Sequence, residues 1–215
     1  MTKPTPTLKK VGIIGEHPQN DAEAMIALLE RYKQDNVCFE LIDVKNFRGS
    51  AMLNHTFAGV LASQIYDEDF DHLIVLCDLD FKKDKHKRES DKIKDRDKWF
   101  VKVNKAVNGI GIFFLIIYEL EALMLCDLDT LRQFFQREFA FDGKPIEEKD
   151  PKGILQSATQ KANVKKYEEK DAKAIFKKLN FKKIYQNHQG KRSFQTFANE
   201  LKAHEIIVFQ NFLFQ

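Results

Sequence analysis

Five acidic residues follow apolar runs in a pattern that suits phosphoryl chemistry. Glu16 comes directly after residues 10–15 (KVGIIG). Asp78 and Asp80 close the run 72–77 (HLIVLC) as Asp-Leu-Asp. Glu119 and Glu121 stand just beyond 109–117 (GIGIFFLII). If the three runs are neighbouring parallel strands, their carboxyl ends form one crevice and the carboxylates meet there. Such a group repels itself unless a cation holds it, and oxygen-only ligation suits Mg²⁺ or Mn²⁺. On an extended segment, residues two apart face the same way, so Asp78 and Asp80 can reach one ion. Glu119 and Glu121 point in different directions if both lie on a helix, which admits only one of them to the site. The bland alternatives are real. Asp-X-Asp is common at strand ends, and acids at a helix start often only complement its dipole.

Other chemistry is poorly supported. No Gly-Lys-Ser/Thr follows Gly15, so a phosphate-binding loop is not indicated, and GxSxG, HExxH and GxGxxG are absent. His17 neighbours a proposed ligand and could move a proton, but a satisfied loop histidine is the favoured reading. Cys38, Cys77 and Cys126 form no CxxC pair, and each lies in an apolar stretch. They read as small buried hydrophobes in a reducing cytoplasm.

The elements that must position the acids follow from hydrophobic spacing. Residues 10–15, 37–44, 72–77 and 109–117 read as strands, the first, third and fourth buried on both faces. Helices are expected over 20–34, with Asn20 as cap, over 51–66, from Tyr118 through YELEALML, over 128–139, and near 168–179 and 193–207. Residues 82–98 are too charged for a core and read as an exposed loop or helix, anchored at its end by Trp99, Phe100 and Val103. Gly143, Pro145 and Pro151 mark a linker-like stretch. The expected fold is α/β, with a mostly parallel central sheet flanked by helices over 1–140 and a basic helical C-terminal extension over 141–215 packed on it.

Length and composition agree. The 215 residues are 43% hydrophobic and 31% charged, with 19 Phe. That suits one domain with a core, with or without a small appendage, and argues against wholesale disorder. The longest apolar run is half what a membrane span needs, and the first ten residues lack the apolar stretch of a signal peptide. The net charge of +3 hides an asymmetry. Residues 1–80 hold 7 basic and 13 acidic residues, whereas 82–105 and 144–183 each carry a net +6. Lys82, Lys83, Lys85, Arg88, Lys152, Lys165 and Lys166 could grip a phosphate backbone, or could be solvated surface. The ending IIVFQNFLFQ docks on its own core or on a partner; its own core is the simpler expectation.

The segments VGIIGEHPQND and LIVLCDLD together resemble the Toprim domain, the catalytic module of topoisomerases, DnaG-type primases and the overcoming-lysogenization-defect nucleases. In that resemblance Glu16 takes the place of the family's Glu, Asp78 and Asp80 that of its Asp-X-Asp, and Asn20 or Asp21 that of a second acid. IIYELEALMLCDLDTL and DPKGILQSATQKANVKKYEEKDAKAIF are similar to a group of small prokaryotic Toprim-like proteins encoded beside ABC/AAA-type ATPases in anti-phage defence loci. The resemblance covers about residues 10–180. It implies a Mg²⁺- or Mn²⁺-dependent nuclease acting on DNA or RNA and controlled by an ATPase partner, with self-assembly open. The rival expectation is a non-catalytic Toprim-fold subunit of an ATPase complex. Primase- or topoisomerase-like strand chemistry is disfavoured, because no Tyr sits in a context suited to strand cleavage.

Overall fold

The structure is a computed structural model, and it describes residues 7–79, 88–160 and 166–208. Four apolar runs form strands: β1 (Lys9–Ile14), β2 (Val37–Leu41), β3 (His72–Leu79) and β4 (Gly111–Ile117). All pair in parallel, in the order β2-β1-β3-β4. The α/β architecture expected from the sequence is therefore present, and it is consistent with a Toprim-like fold.

Among the described residues the helices are α1 (Glu23–Leu29), α2 (Phe57–Gln64), α3 (Glu89–Ala106), α4 (Glu121–Met124), α5 (Leu128–Phe135), α6 (Pro151–Thr159), α7 (Ala172–Phe176), α8 (Phe181–Asn187) and α9 (Phe194–Ala203). None is long and apolar enough to cross a membrane.

The two-residue period of the strands divides the core. Val11, Ile13, Ile74, Leu76, Ile112, Phe114 and Ile116 share one cluster with α1 and the helices after β4. Leu73 and Val75 point the other way, onto Phe57 and Leu61 of α2 and Val103 of α3. The helices after residue 140 belong to the first cluster: Phe197 of α9 stacks on Phe114 of β4 with ring centroids 4.5 Å apart. Ile206 and Ile207 are buried there too, with Gln34 N–H donating to the Ile206 carbonyl. The rest of the Phe-rich ending, from Phe209, lies outside the described residues.

Several boundaries differ from the sequence expectation. The first helical segment starts not at Asn20 but as a π-helical turn over Pro18–Ala22, which runs into α1 and stops at Leu29. The linker-like stretch ends in a helix, α6, which begins at its last marker, Pro151. Pro151 opens that helix because its first turn needs no N–H there, and the Asp150 carboxylate caps it by accepting from Gly153 N–H at 3.2 Å. The charged segment is helical over Glu89–Ala106, with Val103 buried and Trp99 packed beside Phe57.

Candidate metal centre at the strand ends

From β1 the chain steps to β2 on one side and then crosses to β3 on the other, so the parallel sheet opens its crevice at the carboxyl ends of β1 and β3. Glu16 stands two residues past the end of β1. Asp78 is the penultimate residue of β3, on the face that Ile74 and Leu76 present to the main core. The alternation calls for a hydrophobe at that position, and the strand places a carboxylate there instead.

The two acids meet directly. Glu16 Oε1 accepts the main-chain N–H of Asp78 at 3.2 Å and the Cys77 thiol at 3.4 Å. Asp21 is folded back toward them by the π-helical turn, its Oδ2 accepting His17 N–H at 2.8 Å. Gly15 makes room for that turn, since a Cβ there would lie 2.9 Å from the Asp21 Cβ. Asp80 lies outside the described residues.

Glu119 and Glu121 both line the site, contrary to the expectation that a helix would admit only one. The helix does not begin at Tyr118. That residue adopts a left-handed backbone with φ of 72°, so the chain turns sharply out of β4 and α4 starts only at Glu121. Glu119 Oε2 then accepts Lys152 N–H at 3.2 Å from the first turn of α6, and Glu121 Oε1 accepts the Tyr167 hydroxyl at 2.8 Å.

Glu16, Asp21, Asp78, Glu119 and Glu121 thus surround one cavity of about 320 Å³, with His17, Lys149, Lys152, Tyr167 and Glu169 also in its wall. Lys152 pairs with Glu169, whose other oxygen accepts from Asn20 at 3.1 Å. Asn20, expected as a helix cap, instead ties the β1 loop to the segment after α6. Of the other basic candidates, Arg88 is exposed at the start of α3 beside Asp91, and Lys166 is exposed outside the cavity wall. Lys82, Lys83, Lys85 and Lys165 lie outside the described residues.

Crowded acids in a poorly hydrated place hold protons more tightly. Burial pushes Asp21 up to about 7, helped by the charges of Glu16 and Glu169 and opposed by the His17 N–H. Burial likewise raises Glu121 to about 7 against the Tyr167 hydrogen bond. Asp78 is pushed well above the ordinary carboxylate range, first by burial and then by Asp21 and Glu16. Burial and Glu16 also push the Cys77 thiol up, away from the reactive thiolate. Lys152 loses some basicity to burial, but Glu169, Glu121 and Glu119 outweigh that and keep it a firm cation.

These donors suit a hard divalent ion in chemistry. All are oxygens, and Asp78 Oδ1 is inaccessible to solvent with no hydrogen-bond partner among the described residues. As the side chains lie, no three His, Cys, Asp or Glu of the described residues are arranged to hold a metal ion.

Sequence reasoning missed Tyr167 and Glu169. The signal was a lone aromatic inside the charged stretch KKYEEKD, where a ring has little reason to be unless it is buried. No family model, no curated protein and no solved structure matches the chain.

Proposed function

We propose that the protein is a Mg²⁺- or Mn²⁺-dependent nuclease that hydrolyses phosphodiester bonds in DNA or RNA. The observation that carries this reading is the meeting of acids from the ends of β1, β3 and β4 around one cavity, with Asp78 Oδ1 without a hydrogen-bond partner among the described residues.

Glu16, Asp21 and Asp78, with Asp80, are the residues that would hold one ion, and Glu119 or Glu121 would serve a second. Such ions, when bound, supply Lewis acidity and a water of lowered pKa. The chain's own residues do the rest. Glu16 fixes the approach of the β1 loop to β3 through the Asp78 N–H. Lys152 and Lys149 set positive charge on the cavity wall, where a phosphate would enter. Basic residues outside the cavity, among them Arg88 and Lys166, would contact the nucleic-acid backbone with little sequence preference and a steep dependence on salt. The resemblance to the defence-associated group adds an ABC/AAA-type ATPase as the controlling partner.

The test is cleavage of single- and double-stranded DNA and of RNA in Mg²⁺ and Mn²⁺ by wild type, Asp78→Asn and Glu16→Gln. Both variants should fold and lose at least roughly 100-fold in rate, the scale for losing one electrostatic contributor to a transition state. Undiminished cleavage by both would refute the reading. Co-purification with an ATPase and no metal affinity would instead assign the chain the role of a scaffold.

A further inference from the structure

We infer that Tyr167 is a positioning residue for Glu121, fixing the orientation of that carboxylate in the cavity for metal ligation. The inference rests on the nuclease reading above and goes beyond it by naming a residue outside the acidic set.

Tyr167 is 1% exposed, and its hydroxyl donates to Glu121 Oε1 at 2.8 Å. The ring is held from two sides. Its main-chain N–H donates to Thr159 Oγ1 at 2.8 Å, and that hydroxyl in turn donates to the Leu155 carbonyl of α6 at 2.6 Å. From α5, Phe135 meets the ring edge-on, with centroids 6.5 Å apart. The phenol oxygen is therefore fixed relative to α5 and α6 before Glu121 is considered.

Glu121 needs such a partner. It is the first residue of the four-residue α4, it is 8% exposed, and its long side chain has rotational freedom to lose. A hydrogen-bonded neighbour that orients a metal-binding carboxylate is the usual support for such a ligand.

The choice of residue points the same way. This chain fills its core with Phe, 19 of them against 5 Tyr. A phenol buried in that setting costs free energy unless its hydroxyl is bonded, and here the bond goes to an acid of the cavity. Burial and the Glu121 charge also raise the phenol's pKa, so it remains a donor.

The experiment is a calorimetric Mn²⁺ titration at one fixed pH of wild type, Tyr167→Phe, Glu121→Gln and the double variant. Phe keeps the ring contacts, and circular dichroism checks the fold. Tyr167→Phe should weaken Mn²⁺ binding by about 10-fold or more, the range for losing an outer-shell partner. It should have no further effect in the Glu121→Gln background, because its action passes through that side chain. Should Tyr167→Phe alone fail to fold, Glu121→Gln removes the buried charge left without its donor, and the single and double Gln variants are compared. Equal affinities support the inference. Unchanged Mn²⁺ affinity in folded Tyr167→Phe, or an additive loss in the double variant, would overturn it while leaving the nuclease reading standing. If wild type binds no Mn²⁺, that reading fails, and this inference with it.

Discussion

Glu16 Oε1 accepts the main-chain N–H of Asp78 at 3.2 Å, linking the loop after β1 to the carboxyl end of strand β3 across the sheet's switch point. The bond serves structure through the carbonyl-type oxygen and site chemistry through the charge, and the two roles can be separated. Glu16→Gln keeps an oxygen acceptor and removes one of the charges crowding Asp21 and Asp78. In EDTA its urea midpoint should equal or exceed that of wild type. Glu16→Ala should lose roughly 1.5–3 kcal/mol, the range for a hydrogen bond to a charged group. Both should lose Mn²⁺ binding. A Glu16→Gln protein as unstable as Glu16→Ala would show that the charge, not the acceptor, holds the loop.

The raised carboxyls make the metal-free protein sensitive to pH in a defined window. Asp21 and Glu121 release protons near 3.8 and 4.5 when unfolded but near 7 when folded. The folded state thus binds more protons between those values, so stability is fully present below about pH 4 and falls as pH rises toward 7. Each group contributes at most about 1.4 kcal/mol per pH unit in that range. Asp127 works in another window. Burial alone would raise it, but hydrogen bonds from Lys183, Thr130 and Asn180 hold it below the ordinary value, so its contribution is lost only as pH falls beneath about 3.8. Urea unfolding in EDTA should show a falling midpoint from pH 5 to 7.5, and saturating Mn²⁺ should flatten that fall. A midpoint that rises over this interval in EDTA would contradict the assignment.

The sheet and the helices after residue 140 should unfold together, because they share one core. Phe114 of β4 and Phe197 of α9 stack within 5° of parallel. Phe197→Ala should cost roughly 3–5 kcal/mol. Trp99, the single tryptophan, lies on the opposite face of the sheet beside Phe57 and Phe113. Its fluorescence and the far-ultraviolet circular dichroism should nevertheless report one coincident transition, shifted equally in the variant. An earlier loss of helix with Trp99 unaffected would make the C-terminal part a separate unit.

How much of this was legible depends on what each residue reveals alone. The buried strands were readable, because a run such as IFFLII admits little else and the acids directly after it mark its end. The helix at Pro151 was not, because a proline reads as a break until Asp150 is recognised as its cap. The joint entry of Glu119 and Glu121 depends on a left-handed Tyr118, a conformation that a non-glycine residue does not announce. Asp21 was only a loose candidate in sequence, since the π-helical turn that brings it back supplies a spacing no regular helix would give. Tyr167 and Glu169 come to the cavity through contacts with segments far away in the chain, which local patterns do not encode.

The most direct measurement is anomalous scattering from crystals soaked in Mn²⁺. The account expects a peak within ligand distance of the carboxylates of Glu16 and Asp78, reduced or gone in crystals of Asp78→Asn. No peak among these side chains at saturating Mn²⁺, or an equal peak in the variant, would contradict the claim that the strand-end acids form a divalent-ion site.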